Sequence, residues 1–202
     1  MGRLGFIGMI ALVVLGTGYF LWPYVAADLE DLETHKSGYV HYALSDGAGR
    51  AVSQDTFKDQ HTLVVFGYTH CPDVCPTSLQ DVAETLEQLQ DDAARFVPVF
   101  ITIDPARDHG ADLHAYVQNF HSRFVGLSGS NEAIRSAAKS FRAFFQKEKP
   151  DAGDPESYLM SHTASVYVIG PNGKGPLKTF KYGETPERMA AALRDIPPIR
   201  SH

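Results

Sequence analysis

Cysteine and basic residues are scarce in this chain, and no internal repeat or long low-complexity tract occurs in it. Only Cys71 and Cys75 are found among 202 residues, so any thiol chemistry belongs to this one pair. The 18 lysines and arginines are outnumbered by 24 aspartates and glutamates, a formal net charge of −6. This balance argues against a nucleic-acid partner. About 175 residues follow the first apolar segment, enough for one domain with its own core.

The longest apolar segment is Leu4–Tyr24, which contains no charged residue. At about 1.5 Å per residue it is just long enough to cross the ~30 Å hydrocarbon core of a membrane. Arg3 precedes it and acidic residues follow it, so the positive-inside rule places the rest of the chain outside the cytoplasm. Val25–Ala27 resembles a signal-peptide cleavage site, but the apolar segment is longer than a typical signal peptide requires. We therefore expect a retained transmembrane helix.

The anchor sets the expected location and domain organisation. No arginine- and serine-rich transit segment precedes it, which favours a bacterial periplasm over a mitochondrial compartment. Residues 1–27 are predicted to form the cytoplasmic start and membrane anchor, 28–38 a linker, and 39–202 one periplasmic domain. The protein is thus expected in the bacterial inner membrane, with a single pass. An oxidising periplasm favours a disulfide bond between Cys71 and Cys75 unless a reductant or a metal intervenes.

Short apolar strands and amphipathic helices alternate along the domain. Predicted strands are Leu63–Phe66, Phe96–Ile103, Phe124–Leu127, Thr163–Ile169 and Leu177–Tyr182, after a hairpin from Tyr39–Leu44 through the turn Asp46-Gly47. Predicted helices run from near Pro76 to about Leu89, over Leu113–Phe120, from a Ser130 cap through Phe145, and from Thr185-Pro186 to Leu193, with a mobile loop at Lys147–Ser157. This order predicts an α/β thioredoxin-like fold, a mixed central sheet flanked by helices.

The two cysteines lie between a predicted strand and a predicted helix. Cys75 is expected at or near the N-cap, where unpaired N–H groups and the helix dipole favour thiolate over thiol. A thiolate is both the nucleophile of disulfide exchange and a soft metal ligand. Three residues separate the cysteines, whereas a thioredoxin motif has two. The pair predicts a redox dithiol or a metal site, and an inert structural pair is the remaining alternative.

Two further segments are expected at the same edge of the sheet. The loop 104–108 follows a parallel strand, where sites on such folds gather, and is either a turn held by Asp104 and Arg107 or part of the site. If the first strand of the late hairpin runs antiparallel, its start at 161–163 returns to this edge and brings His162 with it. Another candidate is His70, beside Cys71, for which an orienting or structural role in the loop is the alternative.

Two thiolates and one imidazole make a metal-ligand set. Two thiolates favour a soft ion such as Cu(I), and imidazole also suits Cu(II) and zinc. Structural zinc normally has four protein ligands, and a fourth is not evident in the sequence. Spacing alone therefore leaves both the role of His162 and the identity of the metal open.

Three motifs in this order resemble the Sco/SenC family: FGYTHCPDVCP at 66–76, TIDPARD at 102–108, and YLMSHT at 158–163 followed by VYVIGPNG at 166–173. The match covers roughly 44–193, and a membrane anchor is usual in that family. The resemblance implies a thioredoxin-like domain in which Cys71, Cys75 and His162 bind one copper ion per chain, as Cu(I) or Cu(II). One position differs: the residue before the histidine is commonly aspartate there and is Ser161 here.

The same resemblance implies a copper chaperone that assembles cytochrome c oxidase. The expected function is a membrane-anchored metallochaperone, not an enzyme, that delivers copper to the CuA centre of oxidase subunit II. Its other expected partners are a periplasmic copper donor and a thiol reductant. The alternative is a thiol–disulfide reductase of the CuA-site cysteines, with Cys71 and Cys75 as the redox-active pair. A peroxidase of related fold would need a single peroxidatic cysteine. His162 distinguishes the copper chaperone from the reductase, because copper ligation needs its imidazole and dithiol exchange does not.

Overall fold

The computed structural model describes residues 38–149 and 157–199. The predicted anchor, and nearly all of the predicted linker, lie outside these residues and stay predictions. Within the described ranges, no helix has both the length and the apolar character needed to cross a membrane.

Among the described residues, nine strands form two sheets. They are β1 Ala43–Asp46, β2 Ala51–Ser53, β3 His61–Gly67, β4 Phe96–Thr102, β5 Val125–Ser128, β6 Phe145–Lys147, β7 Met160–His162, β8 Ser165–Ile169 and β9 Lys178–Lys181. The main sheet has the order β2-β1-β5-β4-β3-β8-β9, and β6 pairs with β7 separately. β3, β4 and β5 run parallel. β8 runs antiparallel to β3, which meets the condition under which the chain returns to the cysteine edge near His162. The main sheet is therefore mixed.

In the part of the chain that the structure describes, four α-helices cover the two faces of the main sheet. They are α1 Val74–Leu89, α2 Gly110–Gln118, α3 Asn131–Ser140 and α4 Pro186–Arg194. Because successive strand residues point to opposite faces, Leu63 and Val65 share a core with α1, α2 and α4, while Val64 and Phe66 share another with α3. β3 and β4 are buried along their whole length, which explains their continuous apolar runs.

The predicted helix from Ser130 through Phe145 is wrong in its last turn. Ser130 caps α3, as expected, by accepting a hydrogen bond from Ala133 N–H. The helix ends at Ser140, and Arg142 adopts the left-handed region with φ 55°. The apolar residues beyond it, which continue the helical spacing in the sequence, instead lead into β6.

Two predicted strands also have different bounds. The predicted strand Thr163–Ile169 begins only at Ser165, and a separate strand, β7, ends at His162. The strand predicted from Tyr39 begins at Ala43, and Tyr39 makes a single bridge to Lys174. His162 is thus held by strand pairing on one side instead of lying in an open loop. Of the predicted loop Lys147–Ser157, Lys147 belongs to β6 and residues 150–156 lie outside the described part.

His61 begins β3, at the end of the sheet opposite the cysteine loop. Its side chain is buried and stacks on the ring of Phe96, with 5.4 Å between the ring centroids. Burial lowers the pKa of His61 below its ordinary value of 6.5, and the charge of Arg95 acts in the same direction. The folded protein therefore binds this proton less readily than the unfolded chain does.

We expect the buried His61 to make the protein less stable in acid. Its contribution to the free energy of unfolding is complete above pH 6.5 and is lost as the pH falls through the lowered pKa. Urea unfolding measures the free energy of unfolding at about pH 7.5 and about pH 5.5. Between these pH values it should fall less for His61→Leu than for wild type. The exposed His41, changed to leucine, is the matched control. Equal pH dependence in wild type and His61→Leu would contradict the prediction.

Candidate metal centre

The loop between β3 and α1 carries both cysteines. Its first turn is closed by Cys71 N–H, which donates to the carbonyl oxygen of Tyr68 at 3.3 Å. Asp73 is the N-cap of α1, and Cys75 is the second residue of the helix. Pro76 lies in the first turn, as predicted. Proline suits this position because the N–H group that it lacks would have no partner within the helix there. The helix thus begins inside the motif and fixes the position of Cys75.

The three residues predicted as ligands lie together. The two cysteine Sγ atoms and one ring nitrogen of His162 all lie within 4.8 Å of one another. Cys75 Sγ is 3.3 Å from His162 Nε2, and Cys75 N–H donates to Cys71 Sγ at 3.4 Å. Both cysteines are free thiols. Across residues 38–149 and 157–199, no other group of three histidine, cysteine, aspartate or glutamate residues could hold a metal ion.

The two cysteines differ in their access to solvent. Cys75 is only 1% exposed, whereas Cys71 is half-buried. Burial raises the pKa of the Cys75 thiol far above its ordinary value. The expectation that the helix start favours a thiolate is therefore wrong for Cys75, because desolvation outweighs the helix-end effect of about 1 kcal/mol. A bound cation removes the proton from a thiol ligand, so a metal ion would supply the thiolate that the helix does not.

His162 presents its Nε2 atom to Cys75. Its Nδ1 lies 3.2 Å from the carbonyl oxygen of Thr163, which can only accept, so the neutral ring carries its hydrogen on Nδ1 and a lone pair on Nε2. Burial lowers the pKa of His162, which favours this neutral form. The ring packs edge-on against Tyr68, whose hydroxyl accepts the N–H of Met160 at 3.2 Å. The tautomer and the ring position are thus both set before a metal binds.

The turn after β4 supports the chain that leads to His162. The Tyr158 hydroxyl donates to the Asp104 carboxylate, with oxygen–oxygen distances of 2.8 and 3.0 Å. Arg107 pairs with Asp104 and lies over the Tyr158 ring, 3.6 Å from its centroid. Asp104 and Arg107 therefore hold the loop 104–108 as a turn, the first of the two roles that the sequence allows for it. They act on the site by holding Tyr158, whose role no spacing in the sequence indicates.

Asp108 ties the cysteine loop to the end of β4. Its fully buried carboxylate accepts the Thr69 N–H at 2.9 Å, the Thr69 hydroxyl at 2.5 Å and the Thr102 hydroxyl at 2.7 Å. Such a carboxylate is costly to bury unless its oxygens are hydrogen-bonded, and here they are. The loop 104–108 therefore belongs to the site as its support and contributes no ligand to the group of three.

Gly67 leaves the space that Cys75 occupies. A Cβ atom at position 67 would lie 2.7 Å from Cys75 Sγ and 2.8 Å from Phe100 Cε2. These distances are shorter than real Cβ contacts, so any larger residue would displace the sulfur or the ring. This glycine, the last residue of β3, thus sets how deeply Cys75 is buried.

Two other predicted features lie beside the group. His70, the rival ligand, does not belong to the group of three, and its side chain is 55% exposed. Its Nδ1 lies 3.0 Å from Thr69 Oγ1. Ser161 is exposed and its hydroxyl donates to the carboxylate of Glu148, so a carboxylate lies beside this serine although none is present at position 161 itself.

The fold and the site together define a thioredoxin-like protein with one metal-binding Cys-Cys-His group. The SCO1/SenC family model matches residues 30–197, and the chain belongs to the SCO1/SenC family. An SCO2-like protein of Rickettsia conorii is 38% identical over 154 residues, which are 76% of this chain and 74% of the relative.

Two similar solved structures contain copper. ScoI of Bradyrhizobium japonicum with copper bound is 38% identical, with a TM-score of 0.68 over 77% of this chain and 97% of the other. ScoI of Arabidopsis thaliana with copper bound is 28% identical, with a TM-score of 0.70 over 78% and 96% of the two chains. Copper fits the donor set found here, because thiolates suit Cu(I) and imidazole suits either oxidation state.

Proposed function

We propose that this protein is a copper metallochaperone that holds one copper ion through Cys71, Cys75 and His162. The observation that carries the proposal is the convergence of two thiols and one imidazole nitrogen within 4.8 Å, at the edge of the sheet where β3 and β4 end. Membership in the SCO1/SenC family and the copper in the related structures support copper as the ion. A set of three ligands leaves room for a further ligand from an acceptor.

Delivery requires that copper can leave the site by exchange of ligands. Each thiol loses its proton to water when copper binds, and regains a proton when copper departs. Cys71 is half-buried and can meet an acceptor's ligand, whereas the buried Cys75 cannot do so first. Copper keeps its oxidation state throughout, because ligands are exchanged and no electron is transferred.

The acceptor we propose is the CuA centre of cytochrome c oxidase subunit II. The support is the resemblance of the three sequence motifs to the copper chaperones of oxidase assembly. We further propose that Leu4–Tyr24 anchors the protein in a bacterial inner membrane, with the domain in the periplasm. A periplasmic copper donor would then supply the ion, and a thiol reductant would keep both cysteines reduced.

The proposal predicts direct transfer of copper. The reduced full-length chain, loaded with Cu(I), is mixed with copper-free subunit II, and the two proteins are then separated for metal analysis. We expect copper to be recovered with subunit II and the chaperone to be depleted of it. A subunit II variant without its CuA cysteines is the control. Copper that remains on this chain after mixing would contradict delivery to that centre.

The second candidate function is thiol–disulfide reduction. It is favoured by the free and half-buried Cys71 thiol, which could attack a disulfide while Cys75 resolves the mixed intermediate. The two functions differ in their need for His162. If oxidase assembly survives His162→Ala but fails in Cys71→Ser, reduction is the function. If both variants fail, copper binding is required.

A further inference from the structure

We infer that His70 is the entry ligand for copper: its Nε2 and the Sγ of Cys71 take up the ion before it passes to Cys75 and His162. The inference rests on the proposed copper binding. It assigns His70 a transient role, since this residue lies outside the group of three that would hold the ion at rest.

The exposure of the side chains sets the order in which an arriving ion can meet them. His70 is 55% exposed, Cys71 and His162 are half-buried, and Cys75 is 1% exposed. His70 and Cys71 are consecutive residues at the end of the turn that Cys71 N–H closes on Tyr68, and both side chains are reached by solvent. An ion that comes from solvent therefore meets this pair before it reaches Cys75.

The hydrogen bonds around Thr69 decide which nitrogen of His70 can bind a metal. The Thr69 hydroxyl has one hydrogen, and it is donated to the Asp108 carboxylate. Thr69 Oγ1 can then only accept from His70 Nδ1, which lies 3.0 Å away. The hydrogen of the neutral ring is therefore on Nδ1, and Nε2 carries the lone pair.

The position of Asp108 also indicates the direction of the His70 Nε2 lone pair. Its carboxylate lies 3.8 Å from His70 Nδ1 and is itself fully buried, so Nδ1 faces the protein interior. The N–H bond at Nδ1 and the lone pair at Nε2 point in different directions within the ring plane. Because Nδ1 faces the buried carboxylate, Nε2 faces away from it. A histidine that binds a metal through one nitrogen commonly hydrogen-bonds a partner through the other, here the Thr69 hydroxyl oxygen. Such a bond raises the basicity of the metal-binding nitrogen.

The transfer proceeds in two balanced steps. First, copper bonds to His70 Nε2 and Cys71 Sγ, and the Cys71 thiol releases its proton to water. Second, copper bonds to Cys75 Sγ and His162 Nε2, the bond to His70 breaks, and the Cys75 thiol releases its proton. The oxidation state of copper does not change in either step.

The test separates the rate of copper uptake from the affinity at equilibrium. Reduced full-length wild type, His70→Gln and the control His114→Gln, an exposed histidine on α2, are mixed with a Cu(I) chelator complex. Loading is followed by stopped-flow absorbance. Affinity is measured by titration against the same chelator. We expect His70→Gln to load about tenfold more slowly, and to release copper more slowly by the same factor, with an unchanged dissociation constant.

Each result has one meaning. Slow loading with unchanged affinity in His70→Gln, and wild-type behaviour of His114→Gln, supports the entry role. Equal loading rates in wild type and His70→Gln overturn it, and so does a dissociation constant that rises with the loss of rate, because His70 would then be a ligand at rest. Failure of wild type itself to bind Cu(I) would instead overturn the proposed function.

Discussion

Replacing His162 by alanine is expected to weaken copper binding by the reduced protein by more than the roughly 100-fold that loss of an outer partner can cost. The change removes one of three donors and leaves Cys71 and Cys75 with an incomplete coordination shell. The fold should remain intact, because His162 is only half-buried and ends the short strand β7. Competition titration against a Cu(I) chelator measures the affinity, and urea unfolding of the copper-free protein measures the stability.

The neighbouring Ser161 provides the matched control for this experiment. It lies on the same short strand and is exposed, and its hydroxyl contacts Glu148 and not the cysteines. Ser161→Ala should therefore retain the affinity of wild type. Equal copper stoichiometry and affinity in wild type and His162→Ala would remove His162 from the site and leave the dithiol alone.

Removing the carboxylate of Asp108 is expected to cost both stability and copper affinity. Asp108→Ala leaves the partly buried donors of Thr69 and the buried hydroxyl of Thr102 without their acceptor, and a buried unsatisfied group costs about 1–3 kcal/mol. We expect the free energy of unfolding to fall by about 3 kcal/mol, measured by urea unfolding of the copper-free protein. Copper affinity should fall too, because Thr69 lies in the turn that positions Cys71.

Two further variants serve as controls for Asp108→Ala. Asp108→Asn keeps the volume but replaces one acceptor oxygen by a donor, so an intermediate loss of stability is expected. Asp59→Ala changes an exposed aspartate and should alter the free energy of unfolding by no more than about 0.5 kcal/mol. An Asp108→Ala protein as stable as Asp59→Ala would show that the carboxylate does not hold the cysteine loop.

Much of the fold could be predicted because its signals are local. Continuous apolar runs identified β3 and β4, which the structure buries on both faces. Pro76 and Ser130 marked the starts of two helices, since their effects act within one turn. The antiparallel direction of β8, which could only be assumed from the sequence, brings the end of β7 back to the cysteines.

The supports of the site could not be predicted because they depend on contacts between distant residues. Tyr158 is 54 positions from Asp104, and Asp108 is 39 positions from Thr69, so no spacing in the sequence connects them. The place of Cys75 near a helix start predicts a lowered pKa, whereas its burial among core side chains raises the pKa. The resemblance to a known family, and not spacing alone, selected His162 from nine histidines.

Delivery of copper to the CuA centre can be measured in cells that lack this gene, by metal analysis of their cytochrome c oxidase. The oxidase is purified from cells grown with limiting and with added copper, and its CuA content is measured. We expect selective loss of CuA under copper limitation, restored by the wild-type gene but not by Cys71→Ser or His162→Ala. Normal CuA content in the deletion strain under copper limitation would contradict it.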